Sequence, residues 1–144
     1  MGYTLSWTYD KEKTDTKFSK KFLKEAEEIL DKAKKAKIPF GNWEGKAETT
    51  KVLEDHGIRL NGIYPKSCET FYLRPSSGVF CYSSCNTCGN SYGAIGIALL
   101  KLAKKHKIIT EWSSNKGDDD IKTRELYESI YNKKEETDEN QGNI

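Results

Sequence analysis

The chain has 144 residues, with 24 Lys and Arg against 22 Asp and Glu, 35% hydrophobic and 32% charged residues, and a net charge of +2. That is one domain's worth of chain, with no run near the roughly 20 apolar residues a membrane-crossing helix needs. Near-neutrality gives no electrostatic grip on a nucleic-acid backbone, and no basic segment leads an apolar one as in an export signal. The expectation is one soluble cytoplasmic domain over residues 1–131 and a disordered acidic tail over 132–144, with neither membrane nor nucleic-acid partners.

Residues 3–9 alternate aromatic or β-branched with polar types and predict a strand. Thr14, Asp15 and Thr16 offer caps for a following helix. In that helix Phe18, Phe22, Leu23, Ala26, Ile29, Leu30 and Ala33 share one face, with Lys and Glu on the other. A turn-rich break with Trp43 comes next. Residues 51–55 and 58–63 flank Asp55-His56-Gly57 as a hairpin, the competing reading being a short helix over 47–56. Strands follow at 68–73 and 79–82, then a buried helix over 92–107 opening at Asn90 or Ser91. A strand at 108–112, a polar loop and a helix over 121–131 end the pattern. The order predicts an α+β fold, a two-layer sandwich in which a small, mostly antiparallel sheet is covered by two or three helices.

Charge is unevenly spread. Residues 11–37 hold ten Lys and six acids, whereas residues 59–100 carry only Arg59, Lys66, Glu69 and Arg74. A core or a ligand cleft cannot hold unpaired charge, so this middle segment is either the buried centre of the domain or its site. It also holds all four cysteines. Cys81, Cys85 and Cys88 form a Cys-x3-Cys-x2-Cys cluster, with Cys68 thirteen residues upstream. Zinc takes such thiolate sets; free thiols and a disulfide are the alternatives, and no cofactor is required. The deaminase pattern fails, because Ile58 stands where its proton-shuttling acid must be.

Three blocks carry a family resemblance. They are Met1-Gly2-Tyr3-Thr4 with Trp7, then Ile58-Arg59-Leu60-Asn61-Gly62 leading to Cys68-Glu69-Thr70-Phe71, then Phe80-Cys81 before the helix at Tyr92. Together they resemble a family of small bacteriophage and prophage proteins over about residues 1–116. The resemblance implies a phage accessory protein in a bacterial cytoplasm and no settled activity. Leu5-Ser6 replaces the family's His-Tyr, and residues 83–90 replace a segment that usually carries Lys and Arg.

Residues 82–93 are rich in hydroxyl and amide side chains and run into a helix start. Free backbone N–H groups and the positive end of the dipole there predict an anion cradle. The expected pocket comprises Arg59, Asn61, Glu69, Arg74, Ser83, Ser84, Asn86, Thr87, Asn90, Ser91 and Tyr92. Tyrosines would stack on a base, and Arg59 or Arg74 would grip a phosphate. The functional expectation is a protein that sequesters a small nucleotide-like signalling molecule to counter host defence, with self-association open. Two alternatives stand beside it. One is an inhibitor or adaptor of a host protein docking through Trp7, Trp43 and Trp112. The other is a nucleotide-acting enzyme using Cys68, Glu69 or Arg74.

Overall fold

The computed structural model describes residues 4–46, 52–76 and 81–114. The expected loop and helix beyond Ser114, the acidic tail and the segment 47–51 lie outside them. Strand β1 (Thr4–Tyr9) runs between two antiparallel neighbours, β5 (Tyr82–Asn86) and β6 (Ile109–Ser114). A second antiparallel sheet joins β2 (Leu53–Glu54), β3 (Gly57–Leu60) and β4 (Phe71–Leu73). The fold is α+β, with two small sheets where one was expected and two helices among the described residues.

The alternation in β1 sets which face is buried. Leu5, Trp7 and Tyr9 point into the core, and Thr4, Ser6 and Thr8 lie on the other face. Because paired residues share a face, Ser84 and Ser113 join Ser6 on the open side, and Tyr82 and Glu111 join Thr8. The two sheets meet through Trp7 and Phe71, whose ring centroids are 5.1 Å apart. Both helices pack into this same apolar cluster.

Helix α1 (Lys20–Lys35) buries Phe22, Ala26, Ile29, Leu30 and Ala33, the stripe that the 3.6-residue period predicts. Its cap is Ser19, not the earlier Thr14, Asp15 or Thr16: the Ser19 hydroxyl accepts from the Phe22 N–H at 3.1 Å. The segment before it is turned aside because the Phe18 N–H donates to the Asp55 carbonyl. Helix α2 (Gly93–Lys105) is apolar nearly all round and almost wholly buried. At Gly96 an added Cβ would come within 2.8 Å of Leu5 Cδ1, so a strand packs directly on the helix backbone there.

Both helices end in the same way. After α1 the Ile38 N–H reaches the Ala33 carbonyl and the Lys37 N–H the Lys34 carbonyl; after α2 Ile108 and Lys107 repeat this on Ala103 and Lys104. These are Schellman motifs, in which the residue after the cap is left-handed and normally glycine. Here lysines occupy it, at φ 61° in both cases. Lys107→Gly is expected to stabilise the domain by about 0.5–1 kcal/mol, because it removes the Cβ clash of that conformation. A denaturant midpoint unchanged or lowered would contradict this.

Candidate functional site

The segment expected to form the cradle is largely a strand. Residues 82–86 pair along β1, Asn86 opposite Thr4 and Tyr82 opposite Thr8. Ser84 lies opposite Ser6 on the open face, away from α2, and Ser83 shares the side of Trp7 as a strand residue. At that start the first-turn N–H groups are already donated. Gly93 bonds to the Asn90 carbonyl, Ala94 to that of Ser91, and Ile95 and Gly96 to that of Tyr92. All four of those helix residues are buried. An anion there would meet neither free donors nor open space.

Several predicted pocket residues do meet, but they bond to one another. The Asn61 carboxamide oxygen accepts from the Gly62 N–H at 2.8 Å and the Cys68 N–H at 3.0 Å, while its Nδ2 donates to the Cys68 carbonyl at 2.9 Å. Glu69 is a second hub. Its carbonyl accepts from the Tyr92 hydroxyl at 2.7 Å and the Cys85 thiol at 3.4 Å, and its carboxylate from the Asn86 N–H at 2.6 Å. Asn86 in turn accepts from the Cys88 N–H through its side chain. Thr87 is buried, and a Cβ added at Gly93 would sit 3.1 Å from its hydroxyl. These contacts stitch the β3–β4 connection to β5 and the approach to α2.

The two arginines lie apart from this network. Arg59 stacks on Tyr72, its cross-strand partner, at 4.7 Å, and Arg74 stacks on Tyr9 at 4.9 Å. The Arg74 backbone N–H donates to the Tyr9 hydroxyl as well.

The cysteines divide three ways. Cys68 and Cys88 form a disulfide, Cys81 is an exposed thiol and Cys85 a buried one. Among the described residues no group of three or more His, Cys, Asp or Glu is placed to hold a metal ion. Burial, with the Glu69 carboxylate second, pushes the Cys85 thiol up to about 12. Burial likewise raises the Tyr92 phenol. Neither ionises near neutrality, so neither supplies a ready nucleophile.

His56 lies on the hairpin turn beside Asp55 and Glu54, as its sequence context suggests. His106, expected to be exposed among the lysines of a helix end, is half-buried instead. Its Nε2–H donates to the Glu25 carboxylate at 3.0 Å, and its ring meets the edge of Phe22 at 5.3 Å. Desolvation lowers its pKa below the usual histidine value, against an opposing pull from Glu25. The neutral form is therefore the folded one. As pH falls through about 6.5 the unfolded chain takes up this proton first, and stability drops. Thermal midpoints measured from pH 7.5 to 5 should show this acid-side loss, and it should be smaller in His106→Gln. An identical slope in the two proteins would exclude His106 as its source.

No family model matches the chain, nor does any curated protein or solved structure. The site is therefore defined by its own geometry.

Among the described residues, two surfaces are suited to a partner. On the outer face of the β5-β1-β6 sheet a shallow groove of about 270 Å³ is lined by Ser6, Trp7, Thr8, Tyr82, Glu111, Trp112 and Ser113. Of the three tryptophans expected as docking anchors, Trp7 is buried, Trp112 half-buried and Trp43 50% exposed. Tyr64, 81% exposed, was not singled out as an anchor, and only the fold brings its loop against the turn that carries Trp43. The Tyr64 N–H donates to the Gly45 carbonyl, and the Thr70 hydroxyl to the carbonyl of Trp43. Asn42 caps its own turn by accepting from the Glu44 and Lys46 N–H groups. The bridge between Gly41 and Asn61 closes the base. A Trp and a Tyr thus stand on two adjoining loops held to each other through the backbone.

Proposed function

We propose that the chain is a docking protein, which occupies a partner protein by binding and performs no chemical step on it. The observation carrying this reading is the Trp43–Tyr64 tip. Single exposed hydrophobic residues need no explanation. A paired Trp and Tyr on hydrogen-bonded loops is different, because these residues anchor interfaces and little conformational freedom is lost on contact. The setting implied by the phage resemblance makes a host protein the natural partner. The internal engagement of Cys68, Glu69 and Arg74 supports binding over the enzyme alternative.

The test is capture from a host-cell lysate by tagged wild-type protein and by the Trp43→Ala/Tyr64→Ala double variant. One protein retained in stoichiometric amount by the first and lost by the second, with unchanged circular dichroism, is the expected result. Equal retention by both would remove the tip from the interface.

A second reading, capture of a small nucleotide-like molecule, is favoured by the groove on the outer sheet face. Its hydroxyls and the Tyr82 ring suit a base or sugar. Its one charged lining residue is Glu111, which opposes a phosphate. A small molecule released intact on denaturation, with no protein partner retained, would favour this reading over docking.

A further inference from the structure

We propose that Cys68 and Cys88 form a reversible thiol–disulfide modification site whose co-reactant is a low-mass thiol or dithiol, and that its state sets how firmly the Tyr64 loop is held. The second half rests on the docking reading above; the first does not. Cys88 is exposed and Cys68 half-buried, so a small reductant reaches the bond from solvent. Their Cα atoms are 6.0 Å apart and 20 residues apart in sequence, a separation that a disulfide spans without moving the backbone. The bond joins two segments of opposite character. One is the β3–β4 connection, which carries Tyr64. The other is the turn of Cys88 and Gly89, both at positive φ, leading into the largely buried helix α2. Oxidation therefore ties a surface loop to the rigid centre of the domain.

The exchange balances as follows. A reductant thiolate attacks one sulfur of the bond, forming a mixed disulfide and releasing the other cysteine as a thiolate that takes a proton. A second reductant thiol then attacks the mixed disulfide. Both cysteines end as thiols, and the reductant ends as its disulfide, having supplied two electrons. Cys85 lies three positions from Cys88 but does not compete, because its thiol is buried and donates to the Glu69 carbonyl. The hydrogen bonds of Asn61 and Glu69 do not depend on the sulfur bond. Opening it loosens the loop and leaves the fold in place.

The experiment compares the full chain equilibrated with excess oxidised glutathione and with dithiothreitol. Alkylation of the unfolded protein followed by mass spectrometry is expected to find Cys68 and Cys88 joined to each other, Cys85 alkylated and the exposed Cys81 carrying glutathione in the first state, and all four cysteines alkylated in the second. Cys68 and Cys88 alkylated or separately carrying glutathione in the first state overturn the pairing. Hydrogen exchange in residues 62–68 should rise by roughly tenfold or more on reduction, because local opening of the loop is no longer resisted by its covalent tie at Cys68. Residues of α1 should keep their protection. Equal protection of 62–68 in both states overturns the control of the loop. Cys88→Ser should reproduce the reduced pattern under oxidising conditions; should that variant not fold, reduction of the wild type gives the same reading. If the partner is captured equally in both states while loop protection differs, the site stands and its control of docking falls. If no partner is captured in either state, docking fails and the thiol chemistry is unaffected.

Discussion

Gly62→Ala should cost more than about 3 kcal/mol and leave little cooperative unfolding, since the whole stability of such a domain is about 5–15 kcal/mol. The added Cβ would overlap the carbonyl oxygen of Lys66 and come within 2.9 Å of Tyr92 Cδ1. Neither neighbour has room to give way. The Lys66 N–H is tied to the Ile63 carbonyl at 2.7 Å. Tyr92 is fully buried, with its hydroxyl on Glu69. Gly57→Ala makes a useful contrast. There the Cβ would meet the Tyr72 ring at 2.7 Å, but Tyr72 is a half-buried side chain on an edge and can swing outward. Its cost should be about 1 kcal/mol. Urea unfolding of the two variants beside wild type checks the order. A Gly62→Ala midpoint as mild as that of Gly57→Ala would show that the loop yields where its bonding says it cannot.

The same pattern of internal bonding explains which parts of the molecule were legible in the sequence. Helix α1 and strand β1 were readable because each writes its burial into a period of residues along itself, and α2 because it opens on an unbroken apolar run. The hairpin of β2 and β3 was readable from Asp55-His56-Gly57. The segment 82–86 was not, because its Ser and Asn residues have weak strand propensity and their pairing with β1 is a tertiary fact. Hydroxyl-rich residues before a helix look the same whether they cradle an anion or pair along the edge of a sheet. His106 was misjudged for a similar reason. Its local surroundings are lysines at a helix end, and its partner Glu25 lies 81 residues away. The low charge of residues 59–100 follows from burial in part: residues 92–100 are covered throughout, whereas residues 81–91 are mostly open yet uncharged. Of the expected pocket, Asn61, Glu69, Asn86 and Tyr92 form one connected network, yet what they hold is the chain itself. The surface that remains for a partner depends on the Tyr64 loop bonding to the turn of Trp43, and no spacing along the chain encodes that bonding.

Asn61→Ala is the second severe change, expected to cost about 3–5 kcal/mol. One side chain satisfies three backbone groups, the N–H of Gly62 and both the N–H and carbonyl of Cys68. Truncation strands those groups at a site where Asn61 and Gly62 are buried, and an unsatisfied buried polar group costs about 1–3 kcal/mol. Asn61→Asp separates the roles of the two ends of the amide. Its carboxylate can still accept from the Gly62 and Cys68 N–H groups, but it places a second acceptor against the Cys68 carbonyl. At neutral pH it should therefore lie between Ala and wild type. As pH falls the carboxyl gains a proton and with it the missing donor, so the gap between Asn61→Asp and wild type at the same pH should narrow. Urea midpoints of all three proteins at pH 7 and pH 5 decide the matter. A deficit for Asp that stays constant or grows with acid would mean that the Nδ2–H bond to Cys68 contributes nothing. A deficit for Ala below about 1 kcal/mol would mean that solvent replaces the whole clasp. The Tyr64 loop would then rest on the Cys68–Cys88 bond and the Gly45 contact, and reduction should leave it the second of these.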